Sequence, residues 1–179
     1  MQAGPSWFAA YVKSRHEAKI ARLLEYHSIE SFFPQYKSRR QWSDRTIDHL
    51  MPLFSGYLFV RIGLDQRMKV LEAPGVFFLV GPSHRPEALP DCEIEQIKAA
   101  TLSSDPKPHT FIKVGERVVV TRGKLAGYEG LLLREKNKHR VVISLALIQR
   151  AMSVEVDEAD ISPAPAWRNQ ASIGHFSHA

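Results

Sequence analysis

The feature that most constrains the fold is a change of pattern on either side of a short polar stretch, residues 103–108, that contains two prolines. Before this stretch helical and strand-like apolar periodicities alternate, and after it nearly all apolar runs are short and strand-like. A proline-containing stretch of this kind is typical of a short, semi-rigid connection. The pattern therefore predicts two small domains, 1–104 and 113–162, with a linker at 105–112 and a disordered tail at 163–179.

The first domain is predicted to run strand, helix, strand, strand, helix, strand and a final helix. Strand-like apolar runs begin at Trp7 and at Tyr57, and a third covers residues 76–80. Ser14 and Glu17 form an S-x-x-E pattern, which is typical of a capping box that satisfies free amide groups at a helix start. This order of elements predicts a ferredoxin-like α/β sandwich, with helices on one face of an antiparallel sheet.

The second domain is predicted to contain four or five short strands. The apolar runs 118–120, 131–133 and 141–145 are separated by turn residues, among them Gly123 and Gly130. About fifty residues with this spacing favour a small SH3-like β-barrel, so that the whole chain belongs to the α+β class.

Composition removes several classes of function. The chain is 44% hydrophobic and 24% charged, which is a globular balance, and its formal charge of +5 allows but does not require contact with nucleic acid. A single cysteine, Cys92, excludes an internal disulfide and multi-cysteine zinc sites. The histidines are scattered, and neither a glycine-rich phosphate loop nor usefully spaced paired carboxylates occur. We therefore expect no metal, no cofactor and no enzymatic activity.

The apolar runs are also informative about localisation. The first residues show no signal-peptide pattern, and no run approaches the length of a bilayer span. We therefore expect a cytoplasmic, monomeric protein that does not contact membranes.

Motifs in both halves resemble the NusG/RfaH family of transcription elongation and antitermination factors. In the first half they are Trp7-Phe8-x-x-Tyr11-Val12 and the run 52–60, Pro-Leu-Phe-Ser-Gly-Tyr-Leu-Phe-Val. In the second half the glycine pattern of residues 114–130 resembles the KOW motif. Ile148 and Gln149 depart from the housekeeping members of the family, which favours a specialised paralogue.

The resemblance implies a non-enzymatic factor that binds the clamp helices of the largest catalytic subunit of bacterial RNA polymerase and suppresses pausing or termination. The positions that match the family's apolar docking depression are Tyr11, Phe54 and Tyr57, with Trp7 nearby. Aromatic side chains are good anchors for a helical partner, so we expect these three to be exposed. The alternative, that such strand aromatics are simply core, stays open; for Phe8 and Phe59 we expect the core.

Two groups of basic residues are candidates for contact with non-template DNA or other phosphates. One is a helical stripe and the other a predicted hairpin tip: Arg15, Lys19 and Arg22, and Lys37, Arg39 and Arg40. A merely solvated helix face is the alternative interpretation of the first group.

The run 147–151 resembles the loop by which the family's KOW domain binds either a small-subunit ribosomal protein or the termination factor Rho. Leu147 and Ile148 would be exposed apolar anchors with Arg150 as their charged neighbour, unless both are core residues at a strand end. The departures at Ile148 and Gln149 weaken the case for Rho more than the case for the ribosome.

The alternative function is an RNA-binding module with an RRM-like domain and a KOW barrel. Residues 56–62 partly match the RNP1 consensus on a third strand. Ser55, Leu58 and Ile62 fail individual positions of that consensus.

Overall fold

The computed structural model describes residues 4–41, 46–102, 106–109, 116–135 and 138–164, although the side chains of 39–41, 46–48, 84, 134, 135 and 138 are outside that description. The elements of the first half run, in chain order, β1 (Ser6–Val12), α1 (Glu17–Tyr26), β2 (Glu30–Phe32), β3 (Gln35–Gln41), β4 (Thr46–Pro52), β5 (Tyr57–Ile62), α2 (Arg67–Leu71), β6 (Val76–Leu79), β7 (Ala88–Leu89) and α3 (Asp91–Thr101). The second half contains β8 (Lys107–His109), β9 (Glu116–Val120), β10 (Glu129–Glu135), β11 (Lys138–Leu145), β12 (Arg150–Val156) and β13 (Ile161–Pro163). The class is mixed α/β, as predicted.

The first sheet has the strand order β2-β5-β1-β6, and β7 pairs with the start of β1; every pairing is antiparallel. Strand alternation gives β1 two different faces. Phe8 and Val12 pack with Ile20 of α1 and Val70 of α2, whereas Trp7 packs in the cluster that includes α3. The predicted order of elements is confirmed, with β7 as an addition, and the predicted hairpin is present as the separate pair β3–β4. The expectation that helices cover one face holds for α1 and α2, but α3 covers the other.

Helix α1 begins without the predicted capping box. Its N-cap is His16, and no side chain caps the helix. The Glu17 carboxylate instead accepts a hydrogen bond from the backbone amide of Gly56, 39 residues further along the chain. The capping-box prediction is therefore wrong, because the helix begins later than the pattern requires: Ser14 precedes the N-cap by two residues, and Glu17 is the first helical residue rather than the third.

The second sheet has the order β13-β9-β10-β11-β12-β8 and is antiparallel throughout. All the strands predicted in this half are present, including the run 131–133 within β10. Part of the predicted linker is also a strand, because Lys107–His109 pairs with residues 151–153 of β12. Pro108 is tolerated there because β8 is an edge strand, with a ladder partner on one side only among the described strands.

The two halves pack against each other through α3. One buried cluster contains Ile94 and Ile97 of α3 together with Val118 and Val154 of the second sheet. Two hydrogen bonds cross the same boundary: Gln96 Nε2 donates to the Glu129 carbonyl, and Lys124 Nζ donates to the Leu102 carbonyl, each at 2.8 Å. Helix α3 thus lies between the first sheet and the second.

Two further predictions concern the C-terminal tail and membrane-spanning segments. Most of the predicted disordered tail, residues 165–179, lies outside the described residues. In the part that the structure describes, none of the helices combines the length and the apolar character that crossing a bilayer requires.

Candidate docking site

Four aromatic side chains meet at one end of the first sheet, at the edge of the face on which Trp7 and Phe59 pack with α3. The Tyr11 ring lies with its centroid 5.3 Å from that of Tyr57, 5.6 Å from that of Phe77 and 5.2 Å from that of Phe78. Phe77 and Phe78 are 58% and 48% exposed, and the two tyrosines are partly buried. We call these four residues the aromatic patch.

Strand register explains why the patch forms. Tyr11 is directly opposite Tyr57 across the β1–β5 pair and opposite Phe78 across the β1–β6 pair. The β1–β6 register shifts between Tyr11 and Val12, so that Phe77 is an extra residue on β6. A bulge of this kind re-aims side chains, which lets two consecutive phenylalanines both lie beside one tyrosine.

A tight turn at residues 54–57 places Tyr57 in the aromatic patch. The Tyr57 amide donates to the Phe54 carbonyl at 3.0 Å, and Gly56 between them has a φ of 81°. A positive φ at the third residue of a turn favours glycine, as in type II turns. The Gly56 carbonyl accepts from the Val12 amide at 2.8 Å, which ties the turn to β1.

Two of the four predicted docking residues are not at the surface. Phe54 is 1% exposed and packs edge-on against Phe59 with ring centroids 6.0 Å apart, and Trp7 is also buried, beneath the Lys98 ammonium. The prediction that Phe54 is exposed is therefore wrong: the first residue of the turn points into the core while the last points outward. Phe8 and Phe59 are core residues, as expected.

The loop between β11 and β12 reaches the aromatic patch. Arg150 is exposed, and its guanidinium carbon lies 5.7 Å from the Tyr57 ring centroid, within cation–π range. Ile148 is only 5% exposed and Leu147 is partly buried, so the prediction that Ile148 is an exposed anchor is wrong. Gln149 has a φ of 49°, which turns the chain sharply between the buried Ile148 and the exposed Arg150.

The predicted helical stripe of basic residues lies at the surface. Arg15, Lys19 and Arg22 are exposed at or along α1, and Tyr26, 84% exposed, continues the stripe one turn further. The second basic group lies along β3, the first strand of the β3–β4 hairpin, with Arg39 and Arg40 towards its turn. Lys37 is exposed, whereas the side chains of Arg39 and Arg40 lie outside what the structure describes.

Three exposed aromatic residues were missed by sequence reasoning, namely Tyr26, Phe77 and Phe78. The run 76–80 was interpreted as an ordinary apolar strand, and nothing in a short apolar run says which of its residues face solvent. The signal for Tyr26 was available, because it follows Arg22 by four residues, which is one helical turn.

The described residues offer no metal centre, since they contain no group of three or more His, Cys, Asp or Glu side chains placed to hold an ion. Cys92 is an exposed free thiol at the start of α3. The aromatic patch and the basic stripe are thus the surface features of this region that suit binding, the first of an apolar partner and the second of an anionic one.

Comparisons with known proteins show which proteins the chain resembles. The chain is 25% identical to "Transcription termination/antitermination protein NusG" of Escherichia coli (strain K12), over 88% of this chain and 96% of that protein. It is 26% identical to the protein of the same name from Vibrio vulnificus (strain CMCP6), over 84% of this chain and 91% of that one. A solved structure described as "Domain interaction in Thermotoga maritima NusG" has the same fold, with a TM-score of 0.58, 18% identity, and coverage of 90% of this chain and 98% of that chain.

A family model, described as the transcription termination factor NusG, matches residues 5–98. The match spans more than half of the 179 residues and includes every member of the aromatic patch and of the basic stripe. The predicted relationship is therefore confirmed: this chain is a member of the NusG family of transcription termination and antitermination factors.

Proposed function

We propose that this protein binds the clamp helices of bacterial RNA polymerase through the aromatic patch and suppresses pausing or termination during elongation. The observation that carries the proposal is the set of four clustered rings, two of them about half exposed, in the first half of a NusG-family chain. Exposed aromatic clusters of this kind are uncommon on soluble domains unless they bind a partner. The residues assigned to the contact are Tyr11, Tyr57, Phe77 and Phe78.

The domain organisation belongs to the same proposal. The order β2-β5-β1-β6, with α1 and α2 on one face, supports a ferredoxin-like first domain. The six-stranded antiparallel second sheet, with its glycine turns, supports a KOW barrel. Phe54 and Trp7 are not assigned to the contact, since their side chains are buried.

The basic stripe would contact non-template DNA beside the polymerase. Arg15, Lys19 and Arg22 supply positive charge, and Tyr26 supplies an exposed ring on which an unpaired base can stack. Lys37, Arg39 and Arg40 on β3 are a second group for the same backbone.

The loop 147–150 is assigned to a ribosomal small-subunit protein or Rho, with Arg150 as its exposed contact. Arg150 is already exposed, whereas use of the buried Ile148 by such a partner would require the second sheet to move from the aromatic patch. Ile148 would become accessible in the same movement.

The RNA-binding alternative has less support. An RRM-like domain stacks bases on the open face of its sheet, and the face that carries Tyr57 and Phe59 is covered by α3 at Phe59, which is fully buried. A salt titration against single-stranded RNA separates the two functions, because tight binding in the absence of polymerase would favour the alternative.

The test is the affinity of Tyr57→Ala for purified RNA polymerase elongation complexes. Truncating an anchor residue typically costs more than about 1 kcal/mol, so we expect binding at least roughly five-fold weaker with the folded state retained. The matched control is Tyr36→Ala, a partly buried tyrosine on β3 outside the patch. Unchanged affinity in the folded Tyr57→Ala protein would overturn the proposal.

A further inference from the structure

Among the residues that the structure describes, neither helix capping nor an ion pair explains why the acidic side chain of Glu17 is buried. Glu17 is the first residue of α1 and is 2% exposed. A buried carboxylate is costly unless it accepts hydrogen bonds, and Glu17 Oε1 accepts one from the Gly56 amide at 2.8 Å. The first turn of a helix also favours a negative charge. Glu17 therefore joins the start of α1 to the turn at residues 54–57.

Gly56 is fixed through both of its backbone polar groups. Its amide donates to Glu17, and its carbonyl accepts from the Val12 amide at 2.8 Å. Its φ of 81° favours glycine, although a Cβ atom added there would make only van der Waals contact, at 3.4 Å, with the Tyr11 ring and the Ser14 hydroxyl. The turn is thus bonded to Glu17 on one side and to Val12 on the other. The position of Tyr57, the next residue, depends on these two hydrogen bonds.

We propose that Glu17 is a positioning residue for the aromatic patch. Its carboxylate holds the turn so that the Tyr57 ring stays beside Tyr11 before any partner arrives, and fixing a binding residue in advance lowers the entropy that binding must overcome. Glu17 itself touches no partner and acts through Tyr57. The inference rests on the docking function proposed above.

A double-mutant cycle on the full-length protein tests the proposal, with affinity for purified RNA polymerase elongation complexes as the measurement. We expect Glu17→Leu to bind about two- to five-fold more weakly, and no more weakly than Tyr57→Ala, since a charged hydrogen bond to the turn is removed. In the Tyr57→Ala background the same change should weaken binding no further, because its effect passes through the missing ring. Glu17→Gln should retain most of the affinity, because its amide oxygen still accepts from Gly56.

Two additions keep the outcome interpretable. Glu25→Leu removes an exposed glutamate from the same helix and should bind as the wild type does. If Glu17→Leu does not fold, Glu17→Asp replaces it, since aspartate keeps the charge at the helix start but is one methylene too short to reach Gly56. Amide hydrogen exchange at Gly56, measured without polymerase, should be faster in whichever of these variants is used.

The experiment distinguishes a failure of the role of Glu17 from a failure of the docking site. Losses that add fully in the double variant, or unchanged exchange at Gly56, would overturn the role of Glu17 while leaving the docking site in place. Wild-type affinity in Tyr57→Ala would overturn the docking site itself.

Discussion

The guanidinium of Arg150 lies over the ring of Tyr57, with 5.7 Å between the guanidinium carbon and the ring centroid. Arg150 opens β12 in the second sheet, and Tyr57 opens β5 in the first. The contact therefore joins the two halves of the chain at a residue of the aromatic patch. Tyr57 is shared between a contact inside the chain and the proposed contact with polymerase.

Removing Arg150 is expected to tighten polymerase binding. A cation–π contact at an exposed site contributes about 0.5–1 kcal/mol, so Arg150→Ala should lower the Kd by roughly two- to five-fold. The measurement is a titration of elongation complexes with the full-length variant, and Arg85→Ala, which removes another exposed arginine, is the control. Weaker binding by Arg150→Ala would contradict the shared use of Tyr57.

Truncating an exposed phenylalanine of the patch is expected to weaken polymerase binding without loss of stability. Phe78→Ala removes a half-exposed ring beside Tyr11, and an anchor of this kind contributes on the order of 1 kcal/mol or more. Leu64→Ala removes a similarly exposed apolar side chain elsewhere and should bind as the wild type does. Equal affinities of these two variants would place the docking surface elsewhere on the chain.

Phe54→Ala is expected to act on folding rather than on docking. Its ring is buried against Phe59, so truncation should lower the free energy of unfolding by about 3–5 kcal/mol. Urea denaturation measures the loss, and Phe77→Ala provides the comparison, because an exposed phenylalanine should change stability by no more than about 0.5 kcal/mol. Equal stability of the two variants would show that Phe54 is not a core residue.

Binding of single-stranded DNA by the basic stripe is expected to depend on salt concentration. Each phosphate contact on single-stranded DNA contributes about 0.7 to the slope of log K against log salt concentration, so Lys19→Gln should lower that slope by roughly this amount. Tyr26→Ala should weaken binding without changing the slope, since stacking involves no counterion. Lys69→Gln on α2, an exposed lysine outside the stripe, is the control. A slope that is the same in all three variants would exclude the stripe from the site.

Glu93 makes the stability of the fold depend on pH. Burial raises the pKa of this carboxyl above its ordinary value of 4.5. The folded state therefore holds the proton more tightly than the unfolded state does, and stability falls as the pH rises from about 4.5 through the raised pKa. Glu93→Gln, which cannot ionise, should gain in Tm relative to the wild type as the pH increases across this window. A Tm difference that stays constant across the window would contradict the assignment.

Most helices and strands are predictable from the sequence because the apolar spacing that produces each of them lies within the element itself. The β-branched runs 118–120 and 141–143 are strands, and the apolar spacing of α1 places Ile20 and Leu24 in the core. Pro108 belongs to the predicted linker because a polar stretch with two prolines is typical of a short connection, and proline is also disfavoured in strand interiors. An edge position removes that objection, and only the assembled sheet shows that β8 lies at an edge.

The site was less predictable because it depends on contacts between distant parts of the chain. Phe54 and Tyr57 belong to one turn, and the sequence does not say which of them points inward. The carboxylate of Glu17 has its partner 39 residues away. Phe77 and Phe78 are both exposed only because a bulge in the β1–β6 pair adds a residue to β6.

The short connection between α3 and β8 has a consequence for competition at Tyr57. Only residues 102–106 separate the end of α3 from the start of β8. A peptide of that length spans at most about 20 Å when fully extended. A second sheet that leaves the aromatic patch therefore stays close to it, at an effective concentration on the order of millimolar. Any partner of Tyr57 therefore competes with Arg150 of the second sheet, which stays attached to the same chain and whose effective concentration does not fall on dilution. The partner displaces Arg150 only where its own effective concentration, relative to its affinity, is higher.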